Sequence, residues 1–223
     1  MSFRVEAFGS AEWPGRAAAV IGPVLPAGGA VVLTGGDAAA SLYPELAVYE
    51  HDWSHTDVLF SDERVVPPDD PASNYRMARE LLLSVRPPRH VHRVRGEDRP
   101  HDAADEYSRA IEHIMERGPD VMLLGLGPDA HIASLFPLSP VFDDGGDWSQ
   151  AVTRPDGLHG VTLTPRALLR AAKVVLIVAG AAKADAVRRA VRGTEGPRTC
   201  PVRILADHPD ATLLVDEAAA AEL

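Results

Sequence analysis

The sequence lacks the features of a disulfide-stabilised or membrane-spanning chain. Its 223 residues include a single cysteine, Cys200, which excludes a disulfide bond within the chain and is typical of a reducing compartment. The longest apolar stretch, residues 174–182, is far shorter than the roughly 20 residues that cross a bilayer. The first residues, MSFRVEAFGSAEW, contain no continuous apolar region of the kind that a secretory signal peptide needs. We therefore expect a cytoplasmic protein that does not bind a membrane.

Positive charge is also scarce. The chain has 22 lysine and arginine residues against 32 aspartate and glutamate residues, and its formal net charge is −10. Such a chain has no excess of cations to neutralise a phosphodiester backbone, so we expect no nucleic-acid partner. Only two of the cations are lysines, Lys173 and Lys183. Hydrophobic residues make up 46% and charged residues 24% of the chain, and this composition is typical of an ordinary globular protein.

Short apolar runs alternate with helical patterns along the chain. The apolar runs, which predict strands, occupy residues 30–34, 56–60, 120–126, 174–179 and 211–215. The helical patterns occupy residues 11–25, 38–46, 73–84, 103–117 and 181–191, with Ser73 or Asn74 as a cap and a further short helix after Val215. Continuous apolar strands are buried on both faces, and helices between strands form crossovers in a parallel sheet. We predict an α/β fold, in which helices cover both faces of a doubly wound, mainly parallel sheet.

No internal repeat, low-complexity tract or linker divides the sequence, so we expect a single domain over residues 1–223. In an open α/β sheet, ligands bind outside the carboxyl ends of the strands. Gly35 and Gly36 follow the first predicted strand and precede a helix, so their backbone amides could approach an anion. The same turn also occurs for geometric reasons alone, and Asp37 would repel a phosphate unless its side chain turned away to cap the helix.

Charged residues follow two other strands. Asp62, Glu63 and Arg64 follow the second strand, where they form either a salt-bridged surface turn or an anion clamp in which a carboxylate positions Arg64. Lys183 follows the fourth strand, in the first turn of a predicted helix. A cation there opposes the helix dipole, so the position is explained either by a bound anion or by simple exposure of the side chain.

The third strand is followed by an acid–imidazole pair, Asp129 and His131. A carboxylate two positions before a histidine can hold the ring tautomer and raise its basicity, which makes His131 a candidate general base. The alternative is a histidine that only caps the following helix. The histidines show no metal-binding spacing and no G-x-S-x-G elbow is present, so we expect neither a metal nor a serine nucleophile.

Together these segments resemble the 6-phosphogluconolactonase family, which is related to the glucosamine-6-phosphate isomerase/deaminases. The resemblance depends on LTGG at 33–36, SDERVVPPDDPASNYRMARELL at 61–82, DVMLLGLGPDAHIASLFP at 120–137, VTLT at 161–164 and GAAKA at 180–184. It implies hydrolysis of 6-phospho-D-glucono-1,5-lactone to 6-phosphogluconate in the oxidative pentose phosphate pathway, without metal or cofactor.

The resemblance also implies a role for each site residue. His131 would be the general acid/base, oriented by Asp129, and Arg64 would bind the phosphosugar and stabilise developing negative charge. Gly35, Gly36 and Lys183 would hold the phosphate, and Asp62 would belong to the substrate-binding set. We expect a small-molecule phosphosugar lactone as the partner, and a monomer or small homo-oligomer as the oligomeric state.

Three positions depart from the family pattern. Asp37 stands where a small or hydroxyl-bearing residue is usual. Ala130 stands in place of a glycine, so a turn with positive φ would be strained by about 1 kcal/mol. Gly160 stands in place of an arginine, which removes a potential phosphate ligand.

Two rival functions remain open. A glucosamine-6-phosphate isomerase/deaminase usually has a carboxylate just after the histidine turn, where this chain has residues 134–137, SLFP. A non-catalytic sugar-phosphate sensor is the second rival. Regulatory relatives of that kind carry an N-terminal DNA-binding domain, for which we expect no room in the 29 residues before the first predicted strand.

Overall fold

The computed structural model describes residues 3–143 and 146–223. The described part contains ten strands: β1 (Arg4–Phe8), β2 (Gly29–Leu33), β3 (Thr56–Phe60), β4 (Asp62–Arg64), β5 (His90–Val91), β6 (Val121–Gly125), β7 (Ser149–Thr153), β8 (His159–Leu163), β9 (Lys173–Val178) and β10 (Ala211–Asp216). Seven of these strands form one sheet in the order β1-β10-β9-β6-β2-β3-β5, and every neighbouring pair in it is parallel.

Helices connect the strands of this sheet. The α-helices of the described residues are α1 (Trp13–Ile21), α2 (Asp37–Val48), α3 (Asn74–Ala78), α4 (Pro100–Arg117), α5 (Pro165–Leu168) and α6 (Ala184–Arg192). A π-helical turn, Arg79–Leu83, continues α3. The described part of the chain also contains five short 3-10 turns, at Gly22–Val24, Trp53–His55, Pro140–Phe142, Ala181–Lys183 and Pro201–Leu205.

The sheet is buried on both faces, which explains why its central strands are continuously apolar. Within β2, Val31 and Leu33 pack against α1, α2 and the α3 segment, whereas Val32 packs into the cluster that contains α4, α5 and α6. In β3, Leu59 packs into the same cluster as Val32, and Val58 packs into the other cluster. The structure therefore confirms the predicted fold class, with helices on both faces of a doubly wound, mainly parallel sheet.

Two buried tyrosines fix the ends of neighbouring strands. The Tyr43 hydroxyl, on α2, donates to the carbonyl of Thr34 (2.6 Å) and accepts from its N–H (3.0 Å). The Tyr107 hydroxyl, on α4, does the same at Phe60, with distances of 2.7 and 2.8 Å. Burial raises the pKa of both phenols, so they stay protonated and able to donate. Each helix thereby fixes a strand at the residue where a site loop begins.

A second sheet, antiparallel and three-stranded, has the order β4-β8-β7. Ser61 joins it to the main sheet, because its N–H donates to the Leu33 carbonyl and its own carbonyl accepts from Leu163, each at 2.8 Å. Helix α4 supports the outer strand through Ser108 and Ser149, whose hydroxyl oxygens lie 3.0 Å apart. This sheet brings side chains from β4, β7 and β8 towards the carboxyl edge of the parallel sheet.

All five predicted strands are confirmed, with ends that differ by no more than one residue. The prediction of a first strand at residue 30 was wrong, because β1 precedes it. That edge strand is half exposed, so it lacks the apolar run used for prediction. The three strands of the antiparallel sheet, β4, β7 and β8, and the two-residue strand β5 were also missed.

Three helix predictions need correction. The helix expected after Val215 is absent among the described residues, where Glu217–Glu222 forms successive turns and the Asp216 carboxylate accepts from the Ala219 N–H. Lys183 ends a 3-10 turn and caps α6 instead of lying in its first turn. The predicted helix over residues 73–84 changes from α to π after Ala78. Of the two predicted caps it is Ser73 that caps the helix, accepting from the N–H of Arg76 at 3.1 Å.

The composition of residues 143–147 predicts a loop, and this segment lies partly outside the described residues.

Candidate active site

Loops from the carboxyl ends of β2, β3, β6 and β9 meet at one cavity of about 320 Å³. Its lining includes six of the residues that the sequence singled out: Gly35, Gly36, Asp62, Arg64, His131 and Lys183. Asp129 contacts His131 from outside this lining. The four strand ends therefore contribute to a single site, because the parallel sheet brings its carboxyl ends to one edge.

His131 and Asp129 form a close acid–imidazole pair. The Nδ1 atom of His131 lies 2.5 Å from Oδ1 of Asp129. A carboxylate only accepts hydrogen bonds, so Nδ1 carries the proton and Nε2 is left as an acceptor. Burial raises the pKa of Asp129, but the hydrogen bond and the charge of His131 outweigh that effect and hold the pKa below its usual value.

The turn before His131 adopts a backbone conformation that favours glycine. Ala130 has φ = 69°, and its N–H donates to the Gly127 carbonyl at 3.0 Å. The Val202 N–H, from the 3-10 turn Pro201–Leu205, donates to the Ala130 carbonyl at 3.0 Å. A side chain at Gly127 would overlap the ring of His131. The expected positive φ at Ala130 is therefore confirmed, and neighbouring elements hold the turn in this shape.

Arg64 reaches the cavity through contacts with the segment before α3. Its Nη1 donates to the carbonyl of Ala72 at 3.2 Å and to the side-chain oxygen of Asn74. The Asn74 amide nitrogen donates to the carbonyl of Asp62 at 2.9 Å. Gly35 lies against Asn74, and a Cβ at this glycine would overlap its amide group. Asn74, which the sequence suggested only as an alternative helix cap, thus positions the guanidinium.

Glu63, the middle acid of the SDER segment, does not face the cavity as a ligand. It is 2% exposed and its carboxylate accepts four hydrogen bonds, from Arg64 N (2.8 Å), Ser73 Oγ (2.9 Å), Asn74 N (2.7 Å) and Tyr75 N (2.8 Å). Burial raises the pKa of Glu63, against the effect of these donors. The carboxylate joins β4 to the N-terminus of α3, so it fixes the segment that holds Arg64.

The N-terminus of α2 borders the cavity beside Lys183. Gly36 precedes the helix with φ = 93°, a conformation that L side chains rarely adopt. Asp37 is exposed at the first position of the helix and also lines the cavity. Burial lowers the pKa of Lys183, while the charges of Asp129 and Asp37 act in the opposite direction. Asp37 and Lys183 therefore line the same cavity, so the repulsion that Asp37 is expected to exert on a bound phosphate applies in the structure.

Asp62 lies beneath the cavity with most of its surface covered. It is 6% exposed, and its oxygens accept from Ser61 Oγ at 3.0 Å and from Ser134 Oγ at 2.8 Å. Nη1 of Arg154, a residue that the apolar-run pattern does not mark, lies 3.7 Å from Asp62 Oδ2, and the side chain lines the same cavity. The turn signal Pro155-Asp156-Gly157 between two apolar segments could have revealed the hairpin that carries this arginine.

Two negative findings concern the described residues. Within residues 3–143 and 146–223, no group of three His, Cys, Asp or Glu side chains is arranged to hold a metal ion. In the same ranges no helix combines the length and apolar character needed to cross a bilayer.

The sequence matches the model of a known protein family over most of its length. The model described as "Glucosamine-6-phosphate isomerases/6-phosphogluconolactonase" matches residues 27–214, and so includes all of the loops around the cavity. The chain belongs to this family.

Curated members of the family are similar over most of the chain. A 6-phosphogluconolactonase from Nostoc sp. is 33% identical over 202 residues, which are 86% of this chain and 84% of that protein. A 6-phosphogluconolactonase from Streptomyces coelicolor is also 33% identical, over 86% of this chain and 81% of that protein.

Solved structures extend the likeness to the whole fold. The 6-phosphogluconolactonase from Trypanosoma cruzi superposes with a TM-score of 0.85 and 27% identity, covering 100% of this chain and 98% of that one. A monomeric glucosamine-6-phosphate deaminase superposes with a TM-score of 0.86 at 18% identity, covering 99% of this chain and 100% of that one. At that identity the second likeness concerns the fold alone.

Proposed function

We propose that this chain hydrolyses 6-phospho-D-glucono-1,5-lactone to 6-phosphogluconate. The observation that carries the proposal is the His131–Asp129 pair, which lies at a cavity that Arg64 and Lys183 also border. A general base beside fixed cations suits attack of water on the carbonyl of an anionic ester. Relatives named 6-phosphogluconolactonase, at 33% identity over most of this chain, support the choice of substrate.

The proposed reaction begins with a proton transfer to His131. Since Nδ1 donates to Asp129, Nε2 accepts the proton of a water molecule as the water oxygen attacks the C1 carbonyl. Asp129 stabilises the imidazolium that forms. The C1–O5 bond then breaks, and the ring oxygen takes the proton from Nε2, which regenerates the neutral imidazole. The products are the carboxylic acid, which ionises, and the free C5 hydroxyl.

Arg64 supplies positive charge for the oxyanion that forms at C1. Its guanidinium is held by the Ala72 carbonyl and by Asn74, so it need not reorganise when charge develops. Lys183 and the amides at Gly35 and Gly36 hold the phosphate at the N-terminus of α2. Asp62 contributes indirectly, as the carboxylate that orients Ser134 and neighbouring groups under the cavity.

We also propose that residues 1–223 form one domain that acts in the cytoplasm, in the oxidative pentose phosphate pathway, as a monomer or small homo-oligomer. The free, buried thiol of Cys200 is consistent with a reducing compartment. Sedimentation equilibrium of the purified chain measures the oligomeric state. A large assembly at micromolar concentration would contradict this part of the proposal.

The proposed activity is tested by adding the purified chain to lactone generated in situ from glucose 6-phosphate by its dehydrogenase. Spontaneous opening of the lactone is measured without the protein and subtracted. We expect a rate well above this background, and release of no ammonia from glucosamine 6-phosphate. A rate equal to the background at micromolar protein would overturn the proposal. Ammonia release without lactone hydrolysis would favour the deaminase instead.

A further inference from the structure

Arg154 enters the cavity from the antiparallel sheet and not from a strand end of the parallel sheet. It directly follows β7, in a turn closed by its N–H to the Leu158 carbonyl (2.9 Å) and by the Gly157 N–H to its own carbonyl (3.0 Å). The side chain is only 11% exposed and lines the cavity. Its position therefore depends on the hairpin β7–β8.

Gly160 leaves the space that this side chain occupies. It lies in β8, where it pairs with Val152 of β7 and with Arg64 of β4. A Cβ at Gly160 would lie 3.3 Å from Cδ of Arg154 and 3.1 Å from the carbonyl of Glu63, which is tighter than most real contacts. In the family pattern an arginine stands at the position of Gly160. In this chain the side chain of Arg154, from the turn after β7, lies next to that glycine.

The guanidinium of Arg154 is fixed but not saturated. Its Nη1 donates to Ser134 Oγ at 2.8 Å, and its Nε pairs with Asp156 at 3.2 Å. Within the part of the chain that the structure describes, its Nη2 makes no hydrogen bond. An arginine held on one side with donors remaining on the other suits bidentate binding of a phosphate.

Phe136 links this guanidinium to the proposed general base. Its ring centroid lies 4.6 Å from that of His131 and 5.5 Å from Cζ of Arg154. The aromatic ring therefore contacts both the cation and the imidazole, two groups that line the same cavity.

Arg154 also decides the sign of the charge around the cavity. Among the residues that the structure describes, the acidic and strongly basic side chains that line it are the carboxylates Asp37 and Asp62 and the cations Arg64, Arg154 and Lys183. Without Arg154 the remaining charges cancel, and Lys183 is further offset by Asp129. A phosphate monoester carries between one and two negative charges near neutral pH, so its binding needs the additional cation.

From this arrangement we infer that Arg154 is a substrate-binding residue that engages the phosphate of the phosphosugar and sets the preference for phosphorylated over unphosphorylated lactone. The inference rests on the proposed function and adds to it the residue that recognises the phosphate of the substrate. A purely structural role would be to neutralise Asp62. That carboxylate, however, already accepts from Ser61 and Ser134, and the arginine is 3.7 Å away.

The test compares the wild type with Arg154→Ala, and with Arg154→Gln, which retains a polar side chain. Steady-state hydrolysis is measured with 6-phospho-D-glucono-1,5-lactone and with glucono-1,5-lactone, and calorimetry measures binding of 6-phosphogluconate. We expect both variants to raise KM for the phosphorylated lactone by on the order of tenfold to a hundredfold, with a similar loss of 6-phosphogluconate affinity. The rate with the unphosphorylated lactone should change little.

Arg166→Ala is the matched control. This arginine is exposed and stacks on Trp148 with Cζ 3.8 Å from the ring centroid, and it does not line the cavity. Its removal should leave both KM and 6-phosphogluconate affinity unchanged.

Other results for the Arg154 variants or the wild type would overturn the inference. A folded Arg154→Gln protein with wild-type KM and wild-type affinity would overturn the inference, as would equal losses on both lactones. If both variants failed to fold, the arginine would be structural and the inference would be wrong. A wild type that neither hydrolyses the lactone nor binds 6-phosphogluconate would instead overturn the proposed function itself, and this inference with it.

Discussion

One carboxylate oxygen of Asp129 accepts two hydrogen bonds from His131. Oδ1 lies 2.5 Å from the ring Nδ1 and 3.2 Å from the backbone nitrogen of the same residue. The two bonds fix both the tautomer and the orientation of the imidazole relative to its own backbone, so that Nε2 remains the free acceptor. The relationship depends on the short turn between the residues, which is why the positive φ of Ala130 matters for the site.

Asp129→Asn should lower kcat more than it raises KM. The amide can present an N–H to Nδ1, which stabilises the opposite ring tautomer and turns Nε2 into a donor. We expect kcat to fall by about tenfold to a thousandfold, because an Nε2 atom that carries a proton cannot accept one from water. Steady-state hydrolysis measures this, with Asp105→Asn, at an exposed position of α4, as the control. An unchanged kcat would show that Asp129 does not position the base.

Gly35→Ala should lower kcat/KM because it displaces the side chain that holds Arg64. The new Cβ overlaps the amide of Asn74, which must move and thereby releases the guanidinium that it holds. We expect a fall in kcat/KM of about tenfold or more. Gly9→Ala is the matched control, because a Cβ there meets nothing within 4 Å. Equal kcat/KM for the two variants would mean that the contact between Gly35 and Asn74 is unimportant.

Ala130→Gly should be better tolerated than the same substitution in a helix. Ala130 is fully buried at φ = 69°, and Ala104 is almost as buried within α4. Both changes remove a buried methyl group and add chain entropy, but only the first relieves left-handed strain. We expect Ala104→Gly to lose about 1–2 kcal/mol more of the free energy of unfolding than Ala130→Gly. Urea denaturation measures both, and equal losses would contradict the strain at Ala130.

His92 should make the fold sensitive to mild acid. Burial lowers its pKa, Asp57 raises it, and the charges of His113, His90 and Arg89 lower it further. Because the folded pKa is below the unfolded value of about 6.5, the contribution of His92 to stability is complete above that pH and is lost as pH falls through the folded pKa. The Nε2 atom is buried without a hydrogen-bond partner among the described residues, so protonation gains no acceptor.

His92→Gln should therefore flatten the decline in unfolding free energy between about pH 7.5 and 5. The exposed His101→Gln on α4 should keep the wild-type slope. Parallel slopes for both variants would rule out the proposed contribution of His92.

Most of the candidate site could be predicted because a parallel sheet brings its strand ends together. The strands before Gly35, Asp62 and His131 are buried on both faces, so their apolar runs are conspicuous in the sequence. Once these strands were identified, the placement of Arg64, His131 and Lys183 near one another followed from topology. Their chemical roles came from the family resemblance and not from that placement.

Arg154 and Asn74 could not be identified in this way. Arg154 reaches the cavity only because the hairpin β7–β8 packs against the parallel sheet and because Gly160 leaves room for its side chain. Asn74 acts through its contact with Gly35 and Arg64, residues far from it in sequence or on other elements. Neither strand of the hairpin has a continuous apolar run: β7 (SQAVT) is only partly covered and contains polar residues, and in β8 (HGVTL) Gly160 and Thr162 interrupt the apolar residues although Gly160–Leu163 are buried.

The role of His131 as the general acid/base is decided by the rate of lactone hydrolysis by His131→Ala. The variant is compared with the wild type and with His101→Ala, after subtraction of spontaneous opening, and circular dichroism confirms that all three proteins are folded. We predict that His131→Ala loses about 10²- to 10⁴-fold in kcat while His101→Ala keeps the wild-type value. A folded His131→Ala protein with undiminished kcat would contradict the assignment of His131 as the general acid/base.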